Sequence, residues 1–576
     1  MTWKSIPPHL QKYIVEQDYD RYSAIDHACW RFIMRISRQF FQQTAHPAYL
    51  NGLAACGIET DRIPCIEEID QKLSVFEWGA VCVRGFIPPS AFMELQSLGV
   101  LAIAADMRSL EHLTYTPAPD IVHEAAGHAP IIADPGYAAY LKNYGKVASK
   151  AIASKEDILL YNAIRELSDI KENPASTLDD IHNAEVLLED AVANISYISE
   201  AAYMSRMNWW TVEYGLIGSL DRPLIYGAGL LSSVSESYNC LTDKVKKLPF
   251  SIDCINHSYD ITEPQPQLFV TPDFQTLTDV LEEFASTLAC RTGGVEGLAK
   301  AKQAQTVTAA VMDSGIRVSG VLSNIILDEN KQPIYLQYMG PVQLCTQTEQ
   351  IPGHGGDYHA EGYGTPVGNI VDISQNSESD HKFEDLKYNE EVKISFASGV
   401  QVQGTLTRVL KESEVVILLT FDECTVTYGD QILFKPEWGY YDMAAGEKII
   451  SVNGGPSDWL SYAPFMDDAV QKNHPSQPLT SGPDNKHDRI DLYRRVREIR
   501  ESGEHHLEEL RKIYKVISKS HHGDWLLNME ILEIVASMTP APDWRHLLEK
   551  ELSDRAQGNS DLANTIRRGL DLIHRF

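Results

Sequence analysis

The chain has 576 residues, more than one hydrophobic core usually organises, so two or three domains are expected. Its 50 Lys and Arg residues stand against 80 Asp and Glu residues, and the formal net charge of -30 disfavours nucleic acid and anionic membranes as partners because both would repel it. The 9 cysteines stand singly without a CxxC pair, which indicates reduced thiols and a cytoplasmic protein. No apolar run approaches the roughly 18 residues of a membrane-spanning helix.

The first domain, residues 1–300, is predicted to be mainly α-helical. Apolar residues recur there at three- and four-residue spacing, as at Leu159, Ala163 and Leu167. Asn173 interrupts this pattern together with the proline after it, and helical spacing then resumes. We therefore expect an excursion of helix, loop and helix on the surface of this domain.

The second domain, residues 301–470, is predicted to be a small β-rich domain of unknown role. Apolar and polar residues alternate through Val392, Ile394 and Phe396, as in a half-buried strand. Glycines such as Gly399 mark the turns between such segments. The pattern predicts a small antiparallel sheet or barrel.

The last region, residues 471–576, is predicted to hold a linker and a C-terminal helical region. The linker is rich in Pro, Ser and Asn and begins near Pro475. Helical spacing returns at Leu492, Val496 and Ile499, with charged residues between them. This pattern favours a packed helical hairpin or a dimer contact, so a homo-oligomer through these helices is one expectation.

The densest cluster of chemically capable side chains lies in the segment PDIVHEAAGHAP, where His123 and His128 are five residues apart. On a regular helix five residues turn the chain by roughly 140°, so the two imidazoles can share one ion only where the helix starts or is distorted. The HExxH motif of zinc proteases has an i, i+4 pair instead. A zinc protease is disfavoured but stays open, as does a purely structural role in which Asp120 caps a helix.

Two imidazoles with one carboxylate and open coordination positions form the set that selects non-haem Fe(II) and exposes it to O2. The segment supplies the imidazoles of His123 and His128, and a third ligand has to come from elsewhere in the chain. Spacing alone therefore predicts a candidate metal site without completing it.

Four motifs resemble those of the aromatic amino acid hydroxylases and occur in the same order. They are PDIVHEAAGHAP with its continuation DPGYAAY, then WWTVEYGL, YGAGLLSS and PQPQLFV. The resemblance covers roughly residues 75–290, and it implies the fold of that family for the first domain. The segment beyond about residue 300 has no counterpart in the familiar members, so the chain resembles an extended bacterial form.

The resemblance implies that His123, His128 and Glu213 are the catalytic iron ligands. Glu213 follows His128 by 85 positions, about twice the separation in the animal enzymes, and the excess coincides with the predicted helical excursion. The expected cofactors are Fe(2+) and a tetrahydropterin, with O2 as co-substrate.

The same resemblance implies the pocket for the amino acid substrate. Arg108 would hold the substrate carboxylate, Asp120 would orient Arg108, and Ser232 would place a hydroxyl near the first histidine ligand. The remaining residues expected at the pocket are Thr116, Pro119, Trp209 and Gly229. Tyr214 stands where several relatives have Phe, so the ring preference stays open.

Two residues are implied at the pterin. Phe92 corresponds to the aromatic that stacks on the pterin ring, and Glu124 to the acid beside that ring. The alternative for Phe92 is an ordinary core residue.

The expected activity is hydroxylation of an aromatic amino acid ring with a reduced pterin, most simply L-phenylalanine to L-tyrosine. Tryptophan or tyrosine hydroxylation by the same mechanism is the first alternative. A zinc hydrolase with Glu124 as the base, or a non-catalytic scaffold, is the alternative of another class.

A second cluster of metal-ligating residue types lies in the β-rich region. His354, Asp357, His359 and Glu361 occur within eight positions. They suggest a second metal site, but the glycines among them favour a polar, Gly-rich loop.

Overall fold

Helices form most of the first 304 residues. The structure is a computed structural model that describes residues 6–114, 119–172, 176–260, 264–375, 378–466, 485–504, 506–520 and 523–574. The helices of this part are α1 Pro8–Gln11, α2 Ala24–Thr44, α3 Pro47–Ala55, α4 Ile66–Leu73, α5 Pro89–Ser97, α6 Pro135–Ala148, α7 Lys155–Glu172, α8 Leu178–Ala193, α9 Glu200–Asn208, α10 Ala228–Ser232, α11 Glu236–Asn239, α12 Phe274–Ala285, α13 Ala289–Thr292 and α14 Gly294–Ala304.

The long helix α2 shows how the sequence starts these elements. Ser23 accepts a hydrogen bond from the backbone N–H of Asp26, and the Asp26 carboxylate accepts one from the backbone N–H of Ser23. This capping box satisfies two N–H groups that a helix start leaves unpaired. The buried side of α2, with Trp30 and Phe32, then packs into the largest hydrophobic core.

Short strands lie among these helices, which the expectation of a mainly α-helical domain did not include. β1 Gly79–Val83 and β2 Val100–Ala104 form a parallel pair, and both are buried along their whole length. A strand buried on both faces is a continuous apolar run, which periodicity cannot distinguish from a buried helix. Four further strands form one mixed sheet: β3 Leu216–Ser219, β4 Arg222–Ile225, β5 Lys246–Pro249 and β6 Gln267–Thr271.

The predicted excursion is a helical hairpin built from α7 and α8. Thr177 caps α8 through a hydrogen bond from the backbone N–H of Asp180, and Lys171 pairs with Glu185 across the two helices at 3.1 Å. Asn173, which prompted this prediction, lies outside the described residues. The two ends of the hairpin lie next to each other, because the backbone N–H of Ala201 donates to the Ile152 carbonyl at 3.1 Å.

Two antiparallel sheets form the β-rich region, and both contribute residues to each of its two hydrophobic cores. The first has the order β10-β9-β8-β7-β18 with β11 also on β9, and the second has the order β12-β13-β14-β15-β16 with β17 also on β15. Their strands are β7 Val307–Met312, β8 Ile316–Leu327, β9 Pro333–Thr346, β10 Glu349–Gln350, β11 Gly362–Pro366, β12 Ile370–Gln375, β13 Glu391–Phe396, β14 Val400–Glu412, β15 Val415–Tyr428, β16 Gln431–Phe434, β17 Tyr441–Ala444 and β18 Ile449–Gly454. The short helix α15 Trp459–Tyr462 follows.

The C-terminal helices pack against the first domain. They are α16 Asn485–Ser502, α17 Leu507–Ser520, α18 Trp525–Ala536, α19 Arg545–Arg555 and α20 Asp561–Ile573. Leu492, Val496 and Ile499 are buried in the same core as Phe32 of α2, and the rings of Phe32 and Trp525 meet edge to face at 5.1 Å between centroids. The apolar faces that we expected to form a hairpin or dimer contact therefore pack against the first domain of the same chain. Among the described residues no helix is both long and apolar enough to cross a bilayer.

Candidate metal centre

His123 and His128 lie on a π-helical segment, Val122–His128. A π-helix pairs residue i with residue i+5, so residues five apart lie on nearly the same face, unlike in an α-helix. Both side chains consequently point to one place, and their Nε2 atoms are 3.1 Å apart. The distorted helix that the five-residue spacing required is present in the structure.

Glu213 reaches the same place from a second π-helical segment, Trp209–Glu213, which continues directly from α9. Its Oε2 atom lies 3.3 Å from His123 Nε2, and its Oε1 atom lies 3.4 Å from His128 Nε2. The structure thus brings together two imidazoles and one carboxylate that are far apart in the sequence.

The spacing of these three donors fits one bound transition-metal ion. Adjacent ligands of an octahedral ion at about 2.1 Å lie about 3.0 Å apart, close to the observed 3.1 to 3.4 Å. Burial opposes ionisation of Glu213, but the neighbouring His128 and His123 outweigh it and hold the pKa of Glu213 below its usual value. The carboxylate is therefore ionised at neutral pH, as a metal ligand must be.

Ser232 sets the tautomer of His123. The Ser232 hydroxyl donates to the Ala228 carbonyl at 2.8 Å, so it can act only as an acceptor toward His123 Nδ1, 3.0 Å away. The Nδ1–H of His123 is then the donor, which leaves the Nε2 lone pair available for an ion. Ser232 lies at the end of α10, and this helix packs directly on the π-helical segment at Gly127, where a Cβ atom would come within 2.7 Å of the Ala228 carbonyl oxygen.

Arg108 and Asp120 form a buried bidentate pair beside the metal donors. Arg108 Nε donates to Asp120 Oδ2 at 2.6 Å and Nη2 donates to Oδ1 at 2.9 Å, while Nη1 donates to the Ser232 carbonyl at 3.2 Å. Asp120 also accepts from the backbone N–H of His123 at 3.0 Å. Described residues thus use three of the five guanidinium N–H donors, and the other two have no partner among those residues.

Glu124 is a buried acid next to the metal donors. Its Oε2 atom has no hydrogen-bond partner among the described residues and lies 3.9 Å from His128 Nε2. Burial raises the pKa of Glu124 to about 8; nearby His128 opposes this rise, and the negative charges of Glu213 and Asp120 add to it. An unsatisfied buried carboxyl costs free energy unless a ligand pairs with it, so Glu124 fits a polar heterocycle bound beside the ion.

Trp209 is the centre of a three-ring aromatic stack. Its ring stacks on Tyr259 at 4.4 Å and on Tyr214 at 4.6 Å between centroids. Tyr214 is fixed in turn by a 2.6 Å hydrogen bond from its hydroxyl to Glu236. Neither Tyr259 nor Glu236 was predicted as a site residue, because neither lies in a motif. Only the folded chain brings them to Trp209 and Tyr214.

Gly229 lies where a side chain has no room. A Cβ atom there would be 2.9 Å from the Tyr214 ring and 3.0 Å from the Glu213 carbonyl oxygen. Glycine at this position therefore allows α10 to approach the segment that carries Glu213. Pro119 is half-buried just before Asp120.

Two predicted site residues are not brought to the metal donors by any described contact. Phe92 lies half-buried on α5 and packs on the small core of β1 and β2, together with Tyr13 and Ile14. Its contact with pterin stays a prediction. Thr116 lies outside the described residues.

Part of the chain matches a known protein family. Residues 12–162 and 189–323 match the family model described as biopterin-dependent aromatic amino acid hydroxylase. Phenylalanine-4-hydroxylase of Chromobacterium violaceum is 28% identical over 279 residues, which cover 46% of this chain and 79% of the relative. The Pseudomonas aeruginosa enzyme of the same name is 28% identical over 278 residues, which cover 47% of this chain and 89% of the relative.

The comparison with solved structures matches a crystal structure of the Chromobacterium violaceum phenylalanine hydroxylase with bound iron(III) and oxidised 7,8-dihydrobiopterin. Its TM-score to this chain is 0.37 and its sequence is 27% identical, and the match covers 48% of this chain and 85% of that one. The chain belongs to the biopterin-dependent aromatic amino acid hydroxylase family, as the motifs predicted. It is therefore an aromatic amino acid monooxygenase.

The family match is interrupted at residues 163–188, within the α7–α8 hairpin.

Proposed function

We propose that this chain uses Fe(II), a tetrahydropterin and O2 to hydroxylate the ring of L-phenylalanine, giving L-tyrosine. The observation that carries the proposal is the convergence of His123, His128 and Glu213 to within 3.1 to 3.4 Å in a member of the hydroxylase family. The preference for phenylalanine is supported by the curated relatives, which carry the name phenylalanine-4-hydroxylase.

In this proposal each side chain has a defined task. His123, His128 and Glu213 hold the iron, and Ser232 keeps the His123 lone pair directed at it. Arg108, oriented by Asp120, binds the substrate carboxylate. Bound iron and reduced pterin supply the electrons that activate O2.

The remaining residues shape the two ligand sites. Trp209 and Pro119 line the pocket for the aromatic ring, and Thr116 and Gly229 lie at its amino acid end. Phe92 stacks on the pterin, and the protonated carboxyl of Glu124 donates a hydrogen bond to a pterin heteroatom. Together these contacts position the substrate ring and exclude water until both organic ligands are bound.

Product analysis with phenylalanine, tyrosine and tryptophan tests the activity. Each amino acid is incubated with the purified chain, Fe(II), tetrahydrobiopterin and air, and the products are identified by mass spectrometry. We expect tyrosine from phenylalanine as the main product, and none from the His123→Ala variant. A main product from tryptophan or tyrosine would replace the proposed substrate, while hydroxylation of none of the three would contradict the proposed function.

Three wider features belong to the same proposal. Residues 1–300 form the catalytic domain, residues 301–470 a β-rich domain, and residues 471–576 a linker with the C-terminal helices. The protein is cytoplasmic, with no nucleic acid or membrane partner. A homo-oligomer through the C-terminal helices would have to use their outer faces, because the inner faces pack on α2; light scattering of the purified chain tests this.

A further inference from the structure

A second group of two histidines and one carboxylate lies in the β-rich region, beyond the end of the family match at residue 323. His354, His359 and Asp442 are all buried, and one ligand atom from each lies within 4.8 Å of those of the other two. His354 Nδ1 is 3.4 Å from His359 Nε2 and 3.8 Å from Asp442 Oδ2.

Rigid elements hold these three side chains in place. The loop that follows β10 carries both histidines and is fixed to β9, because the Leu344 N–H donates to the His354 carbonyl at 2.9 Å and the Val342 N–H donates to the His359 carbonyl at 3.1 Å. Asp442 comes from β17, which belongs to the other sheet. The group therefore joins the two sheets of the β-rich region.

One oxygen of the Asp442 carboxylate has no cationic partner among the described residues. Its Oδ1 atom accepts from the Thr420 hydroxyl at 2.6 Å, and the Tyr358 hydroxyl lies near enough to the carboxylate to interact with it. The Oδ2 atom is buried and has no hydrogen-bond partner among the described residues. Among the described residues no Lys or Arg lies within ion-pair distance of it, and His354 at 3.8 Å is too far for a hydrogen bond. Burying a carboxylate without a counter-charge is unfavourable, so the position favours a bound cation.

The two histidines offer nitrogen donors to such a cation. His354 Nδ1 and His359 Nε2 face each other at 3.4 Å, and a neutral imidazole nitrogen is a common metal ligand.

We propose that His354, His359 and Asp442 bind one divalent transition-metal ion, of which Zn²⁺ best fits the two nitrogen donors, the oxygen donor and their spacing. Tetrahedral ligands at about 2.1 Å lie about 3.4 Å apart, whereas adjacent octahedral ligands lie about 3.0 Å apart. The His354–His359 and His354–Asp442 separations are 3.4 and 3.8 Å, closer to the tetrahedral value. Three protein donors leave one tetrahedral position for water. The loop is then a metal-binding element, in contrast to the polar loop that the sequence favoured.

Metal counting in the full chain tests this proposal. The protein is stripped with a chelator, dialysed against buffered Zn²⁺ alone, and its metal content per chain is measured by mass spectrometry. We expect two equivalents in the wild-type chain, because Zn²⁺ also suits the His123 centre, and one equivalent in each of Asp442→Asn and His128→Ala. The double variant should bind none, and the control His506→Ala, at an exposed histidine, should bind two.

Two results would overturn the second site. One is a wild-type chain that binds a single equivalent, which His128→Ala removes. The other is an Asp442→Asn chain that still binds two. Should Asp442→Asn fail to fold by circular dichroism, His359→Gln is counted in its place with the same expected loss of one equivalent. The absorption of Co²⁺ added to the His128→Ala chain gives a second readout, because a tetrahedral ion absorbs visible light far more strongly than hydrated Co²⁺.

Discussion

Ser232 shows how one side chain can orient a neighbouring histidine that we propose as a metal ligand. Its hydroxyl is committed as a donor to the Ala228 carbonyl and so fixes the His123 ring through Nδ1. Neighbours of this kind orient the ligand and raise its basicity.

We predict that Ser232→Ala lowers the Fe(II) affinity of the catalytic centre about 10- to 100-fold, the usual cost of losing such a partner. Ser233→Ala is the matched control, because the Ser233 hydroxyl accepts from the backbone N–H of Glu236 and makes no contact with His123. Anaerobic titration with Fe(II) measures both. Equal affinities of Ser232→Ala and the wild-type chain would show that the hydroxyl does not act on the ligand.

The substitution Arg108→Lys tests the role of Arg108 better than Arg108→Ala. Alanine would leave the buried Asp120 carboxylate without a counter-charge, which destabilises the fold as well as the pocket. Lysine keeps a positive charge but loses the planar pair of donors.

We predict that Arg108→Lys raises the apparent KM for the amino acid about 10- to 100-fold, which corresponds to a lost charge-assisted hydrogen bond of about 1.5–3 kcal/mol. Iron content should stay unchanged, since Arg108 is not a ligand. Arg62→Lys, in an exposed ion pair with Glu59 and Glu68, is the control. A KM equal to that of the wild type would exclude Arg108 from carboxylate binding.

At the scale of single residues, the sequence identified two of the proposed metal donors by type and spacing, but it did not show which acid meets them in the folded chain. His123 and His128 are recognisable by residue type and spacing, whereas Glu213 lies 85 positions after His128 and came only from the family resemblance. The partners of the aromatic stack, Tyr259 and Glu236, had no local signal. They meet Trp209 and Tyr214 through tertiary packing, which a single sequence does not display.

The two π-helical segments are the elements that build the centre. Each ends in a proposed metal donor, His128 in one and Glu213 in the other. Sequence spacing predicted a distorted helix at the histidines, because five residues on a regular helix would turn one ring away. Nothing in the spacing predicted the second distortion, since Glu213 is a single ligand in its segment.

The hairpin of α7 and α8 contains residues 163–188, which the family match leaves out. The family match is interrupted within it, and it carries exposed apolar side chains such as Leu178, 84% exposed. Its two ends meet at the hydrogen bond between Ala201 N and Ile152 O. The buried carboxylate of Glu200 holds these ends by accepting from Ile152 N at 3.2 Å and from Ala289 N at 2.7 Å.

We predict that a short Gly–Ser linker in place of residues 157–196 leaves Fe(II) affinity and hydroxylation within about 3-fold of the wild type, because short loops close cheaply between adjacent ends. Iron titration and product formation measure the outcome. A folded deletion variant that no longer binds iron would show that the hairpin supports the centre.

Charged side chains join the C-terminal helices to the first domain of the whole molecule. Arg31 of α2 pairs with Glu530 at 3.0 Å and with Glu533, both from α18, and Arg500 of α16 contacts the same two carboxylates. All four charges are largely buried. The sequence predicted the helices themselves, but not this attachment, because helical periodicity marks an apolar face without naming the surface that covers it.

We predict that Arg31→Met weakens this attachment by about 3 kcal/mol, because removal of one partner leaves buried carboxylates less well compensated. Hydrogen exchange of α2 and α18 should then rise about 100-fold. The exposed Arg62→Met, by contrast, should cost about 1 kcal/mol or less. Exchange rates equal to those of the wild type would show that other contacts carry the attachment.

The position of one iron ion defines the proposed catalytic centre. Crystals of the Fe(II)-loaded chain, measured at the iron absorption edge, locate that ion by its anomalous scattering. We predict a strong peak about 2.0–2.3 Å from His123 Nε2, His128 Nε2 and a Glu213 carboxylate oxygen. The absence of iron from this position, or iron bound to the two histidines with Glu213 beyond coordination distance, would contradict the proposed centre.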